Sequence, residues 1–147
     1  MAKFGVIMPD DMYNQAMKAA SPENICRAID GAAPILTGKM KSEIRSAIKG
    51  EGKELADSIQ ATKAKKCKNG AYIAAVYPKG KSSRPRYPNG SSKERTPPVS
   101  NAMKAAILNY GKKGQPAKPW ISKAVNGSRT AVEDALGKAF EENIDDN

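Results

Sequence analysis

Pro116 and Pro119 stand three residues apart, directly before the chain's one tryptophan, Trp120. Each proline holds its own φ near about −65°, removes a backbone donor, and biases the residue before it, here Gln115 and Lys118, toward extended backbone. Neither a helix nor a sheet ladder runs easily through such a stretch. The chain must bend here, and any helix beyond must begin at Trp120. Beyond the bend Ile121, Val125, Val132, Leu136 and Phe140 recur on one helical face, with Ala124, Ala135 and Ala139 beside it. The spacing predicts a long C-terminal helix. Gly127 weakens it by roughly 1 kcal/mol relative to alanine, and the acidic end "EENIDDN" frays.

Upstream, the period of the sequence changes twice. Asp10 or Asp11 caps a first helix over Met12, Ala16 and Ala19. At Ser21 and Pro22 the helix either restarts or kinks, and continues through Ile25 and Ile29. After Pro34, Leu36, Met40, Ile44 and Ile48 recur every four positions among charged residues, an amphipathic helix that stops near Gly50 and Gly52. Lys68-Asn69-Gly70 then lies between two extended runs, which predicts a hairpin of strands over 58–66 and 71–77. The segment 79–101 is basic, rich in Pro and Ser and almost without aliphatic residues, and reads as a long flexible loop. "AMKAAILNYG" fits a short helix or a strand. This order predicts an α+β fold, a small antiparallel sheet packed against N-terminal helices and a long C-terminal helix, in one domain over 1–147.

Charge is unevenly placed. Between Ala61 and Lys118 the chain holds 14 Lys or Arg against the single acid Glu94, whereas the rest carries 11 basic and 14 acidic residues. Such a field favours a polyanion or an acidic partner surface, and equally serves as a solvated basic loop. The residues that would contact DNA or a partner are Lys63, Lys65, Lys66, Lys68, Arg84, Arg86, Lys112, Lys113 and Lys118. Period two would send Lys63 and Lys65 to one strand face and Lys66 to the other. Lysines on an edge strand also block aggregation.

Reactive groups are few. The chain has no histidine, and it lacks a GxSxG, a phosphate-binding glycine loop, an HExxH or an EF-hand pattern. Adjacent acids such as Glu133/Asp134 and Glu141/Glu142 diverge by about 100° on a helix and do not converge on one ion. Cys26 and Cys67 form no CxxC and read as reduced thiols. No apolar run approaches the roughly 20 residues that span a bilayer, so neither export nor membrane insertion is expected. The expectation is a non-enzyme without catalytic residues, metal or cofactor. With low aromatic content, 5%, the core is thin, and assembly could supply the missing burial.

The stretch "LNYGKKGQPAKPW", with Leu108, Tyr110, Gly111, Pro116, Ala117, Pro119 and Trp120, resembles the motif of the tail-component family in the neck of long-tailed phages, the tail-completion or head-tail joining proteins. "AAPIL" at 32–36 and Leu55, Ser58 and Ile59 in "ELADSI" are similar to two further segments of that family, in the same order. Asn109 departs from the family's usual acid, Lys118 from its usual arginine and Gly52-Lys53 from its usual threonine-glycine, and a charged contact carried by the first two positions is in doubt. The resemblance implies a non-enzymatic virion structural protein. Copies would form a ring, sixfold, between connector or head-completion proteins and tail-terminator or tail-tube proteins, after assembly in the host cytoplasm. The basic middle would face either acidic neighbours or, without sequence specificity, the DNA passing through the ring. A basic nucleic-acid-binding module is the alternative.

Overall fold

The computed structural model describes residues 10–48, 52–81 and 99–145. Its first two helices are divided by a cap. Helix α1 (Asp10–Ala19) stops just before Ser21, whose hydroxyl accepts the Asn24 N–H at 3.3 Å and opens α2 (Pro22–Ala47). Asn24 Nδ2 also donates to the Lys18 carbonyl at 2.9 Å, tying the end of one helix to the start of the next. Helix α2 runs for 26 residues straight through Pro34, so the two sequence patterns on either side of that proline belong to one helix. Pro34 is exposed, so its ring lies on the solvent side of the helix and outside the packed face. Ala28, Ala32, Met40 and Ile44 are buried on the packed side, and that packing outweighs one missing ladder bond.

A short helix, α3 (Gly52–Asp57), follows where the sequence suggested only a stop. It places Leu55 and Ala56 in the core and holds Asp57 2.8 Å from the Arg45 guanidinium. The predicted hairpin is present, but it is divided. Strands β1 (Ile59–Ala61) and β4 (Val76–Pro78) pair with Ile59 opposite Pro78. Strands β2 (Lys65–Lys66) and β3 (Tyr72–Ile73) pair with Lys66 opposite Tyr72. The register slips by one residue between the two ladders, because residues 62–64 face only Ala74 and Ala75. Thr62 compensates twice: its N–H donates to the Ala75 carbonyl at 2.8 Å, and its Oγ1 accepts the Ala75 N–H at 2.9 Å. The Ala64 N–H, left over by the bulge, donates 2.7 Å to Asp30 Oδ1 on α2. At the tip the Gly70 N–H returns to the Cys67 carbonyl at 3.0 Å, with Gly70 at φ 86°. Asn69-Gly70 therefore does turn the chain, as the sequence predicts.

The segment read as a loop over 79–101 is closed at both margins. Lys81 bridges to Ser100, the Asn101 N–H donates to the Gly80 carbonyl at 2.9 Å, and the buried Asn101 side chain donates to the Lys79 carbonyl at 2.8 Å. Residues 82–98 lie outside the described residues, with Arg84 and Arg86 among them. The ambiguous stretch is a helix, α4 (Asn101–Tyr110), capped by Ser100 and ended by Gly111. Helix α5 (Trp120–Asp145) starts where the prolines require. It runs antiparallel to α2: Trp120 lies beside Ala47, and Gly127 lies against the Lys39 side chain. The α5 inner face is centred on Trp120, Ala124 and Ser128 rather than on Val125, which is exposed. Ser128 remains satisfied by donating to the Ala124 carbonyl at 2.8 Å. The core joins Met40, Ile44, Leu55, Ile59, Ala105, Leu108, Trp120 and Ala124, and the architecture is α+β.

Candidate interface at the proline elbow

Helix ends leave backbone groups without partners, and α4, α5 and α2 all end within the same small region. Gly111 takes φ 78° and ψ 177°, a conformation essentially reserved for glycine, and its N–H donates to the Ile107 carbonyl at 2.8 Å. A Cβ there would lie 2.8 Å from the Ala117 nitrogen and 2.9 Å from the Gln115 carbonyl oxygen. The following tight turn closes with two bonds between Lys112 and Gln115, at 3.0 and 2.8 Å, around Gly114 at φ 80°. The Lys118 N–H then folds back onto the Leu108 carbonyl at 2.8 Å, satisfying one of the last acceptors of α4.

Three side chains complete the stitching. Asn109, 7% exposed, accepts the Ile121 N–H at 3.1 Å and so caps α5 from another helix. Lys118 Nζ donates to the Ala47 carbonyl at 2.6 Å, a cation on the negative end of α2. Trp120, 3% exposed, donates its indole N–H to the Ala105 carbonyl of α4 at 3.1 Å. Asn109 and Lys118 thus hold different helices, Asn109 α5 and Lys118 α2. Pro116 and Pro119 stand exposed on the outside of the bend. Tyr110, 75% exposed, projects away from the core that holds Trp120.

Beside the elbow lies a shallow cleft of about 320 Å³ between Glu43, Ser46 and Ala47 of α2 and the stretch Ala117–Trp120 with Lys123. Its polar groups are largely engaged. Glu43 pairs with Lys39 at 3.2 Å, the Ser46 hydroxyl donates to the Ser42 carbonyl at 3.0 Å, and Lys118 is held as described. Among the described residues no three or more His, Cys, Asp or Glu side chains gather as a metal site, and no buried side-chain donor or acceptor is left without a partner.

The predicted basic residues fall into two groups. Lys65, Lys66 and Lys68 are exposed on the hairpin, where Lys66 Nζ lies 5.7 Å from the Tyr72 ring centroid. Lys63 does not share a strand face with Lys65, because the bulge takes it out of the ladder and sets its Nζ 3.5 Å from Asp30 Oδ2. Lys112, Lys113 and Lys118 sit at the elbow. Lys63 and Lys118 touch α2 at Asp30 and Ala47, 17 residues apart, so about 25 Å of helix separates the groups. Sequence reasoning missed Asp30 and Thr62, whose roles arise only from the slipped register.

Comparison of the chain with family models, with curated proteins and with solved structures finds no match. No helix among the described residues is long and apolar enough to cross a membrane.

Proposed function

We propose that the chain is a non-enzymatic virion structural protein of a phage neck, a tail-completion or head-tail joining component that forms a ring between connector and tail. The observation that carries this reading is the elbow. Of the residues that carry the resemblance, Leu108, Gly111, Ala117 and Trp120 lie close together, Leu108 accepting the N–H of the intervening Lys118 and Trp120 tied to Ala105, while Tyr110, Pro116 and Pro119 are left facing outward. A rigid corner with an exposed aromatic beside it is suited to docking, since the ordering entropy is spent before the partner arrives. The test is to mix the purified chain with connector and tail-terminator proteins of a long-tailed phage and image the product. A ring at the junction is expected. Failure to bind either partner, together with a monomer at all concentrations, would overturn the reading.

A second reading, binding to nucleic acid, draws on the hairpin. From Ser58 to Lys81 the chain holds Lys63, Lys65, Lys66, Lys68, Lys79 and Lys81 and no acid, and among the described residues only Lys63 has a carboxylate partner. This reading expects duplex DNA to shift at about 50 mM salt and to release by orders of magnitude toward about 200 mM. No shift at the lower salt would remove it.

A further inference from the structure

Helix α5 carries its charges the wrong way round for its own dipole. The positive, N-terminal end of a helix favours carboxylates and the negative end favours cations. Here the first turn holds no acid and the last turn no base. Lys123 lies in the first turn instead, Lys112 and Lys113 are exposed in the turn that leads to it, and Glu141 and Glu142 lie near the finish. None of these five side chains has an ion-pair partner among the described residues. Nor can the two groups serve each other within one chain. Some twenty residues of helix hold them about 30 Å apart, several times the screening length of about 8 Å at physiological salt. Two charged groups of opposite sign that work against the α5 dipole, and that stay unpaired inside the chain, make the basic end of one copy complementary to the acidic end of another.

Apolar side chains accompany both charged groups. Tyr110 and Met103, seven residues apart on α4 and so on one face, are 75% and 57% exposed beside the elbow. At the other end Ile144 of α5 is 42% exposed, and Met17 of α1, the helix that packs alongside, is 57% exposed. Each end thus offers an apolar centre with a charged margin, the usual anatomy of a docking surface.

Resting on the assembly reading above, we propose that copies of this chain associate head to tail, the lysine elbow of one against the acidic end of α5 of the next. The occupant is a second copy because the chain itself supplies both complementary surfaces. A contact between two different patches is heterologous, and it propagates into a ring or a filament rather than stopping at a two-fold pair.

Charge reversal tests the contact. In sedimentation at about 50 mM salt the wild-type chain should associate, and association should weaken at least about tenfold toward about 300 mM. The elbow variant K112E/K113E/K123E and the tail variant E141K/E142K should each remain monomeric, and their equimolar mixture should associate again. Lys118 is left untouched because it holds α2. As a measurement that needs no variant, a zero-length carbodiimide cross-linker applied to a mixture of isotopically light and heavy wild-type chains should join Lys112, Lys113 or Lys123 of one copy to Glu141 or Glu142 of another. A wild-type chain that stays monomeric at low salt, reversed variants that associate as the wild type does, or cross-links confined to other surfaces would overturn the proposal. Loss of this contact with binding to connector or tail proteins retained leaves the neck reading standing. Head-to-tail association without any such binding retires the neck reading and keeps the contact.

Discussion

The two ends of the α2/α5 pair are built from the same helices and are held in different ways. At the elbow end Met40 and Ile44 of α2 meet Leu55, Ile59, Leu108 and Trp120 from four other elements, two helix ends are closed by side chains and a third by backbone N–H groups. At the opposite end the buried residues are Ala19, Ala28 and Ala32, and no described residue of α5 beyond Ser128 is fully buried. Alanines let helices approach closely, yet each contributes little apolar area, against roughly 1.5–3 kcal/mol for a buried Leu or Ile. The difference teaches that length of helix is a poor guide to where this molecule is stable. One end has its own core, and the other is a layer of helices whose large apolar groups are only partly covered.

The strongest way to break that contrast is to remove the indole. Trp120→Ala should lower the unfolding free energy by about 3–5 kcal/mol in urea denaturation, while Phe140→Ala, half-buried at the other end, should lower it by less than about 2 kcal/mol. Equal losses would mean the far end shares the core. Next in size, Gly111→Ala should cost about 1–3 kcal/mol, from strain at a positive φ and from the contact with Ala117. Asn109→Ala should cost about 1–2 kcal/mol by uncapping α5. Asn109→Asp should hold stability or raise it, since a carboxylate accepts the same bond and complements the helix end. Asp30→Ala frees the Ala64 N–H and should cost about 1 kcal/mol; faster amide exchange confined to the hairpin would confirm that the bulge is clamped from α2. The smallest effect belongs to Gly127→Ala, within about 0.5 kcal/mol of neutral, because the gain in helix propensity is opposed only by the movable end of Lys39. Amide exchange in the wild-type chain should also be graded along α5, with residues 131–145 opening at lower free energy than 121–128.

How far the sequence reaches follows the same division. Pro116, Pro119 and Trp120 announce the bend, the buried anchor and the start of α5, because local backbone rules decide them. The hairpin turn is equally local. What stays hidden depends on tertiary partners. The helical state of α4 rests on Ser100 and Gly111 closing an alanine-rich run that also reads as a strand. The continuity of α2 through Pro34 comes from burial on its other side. The bulge follows from Thr62 taking the place of a backbone acceptor and Asp30 accepting the surplus N–H. The face of α5 also shifts from Val125 to Ala124, since only a small side chain is buried at that crossing. At the elbow the sequence marks the lysines and prolines, but not that Asn109 and Lys118 serve two different helices.

Because the chain has one tryptophan and its indole lies where α2, α4 and α5 converge, its emission reports on that corner alone. Fluorescence and far-ultraviolet dichroism will therefore follow different events during gentle heating. Ellipticity will begin to fall as the distal helical layer melts, while the emission maximum stays at its buried, blue-shifted position until the corner itself opens.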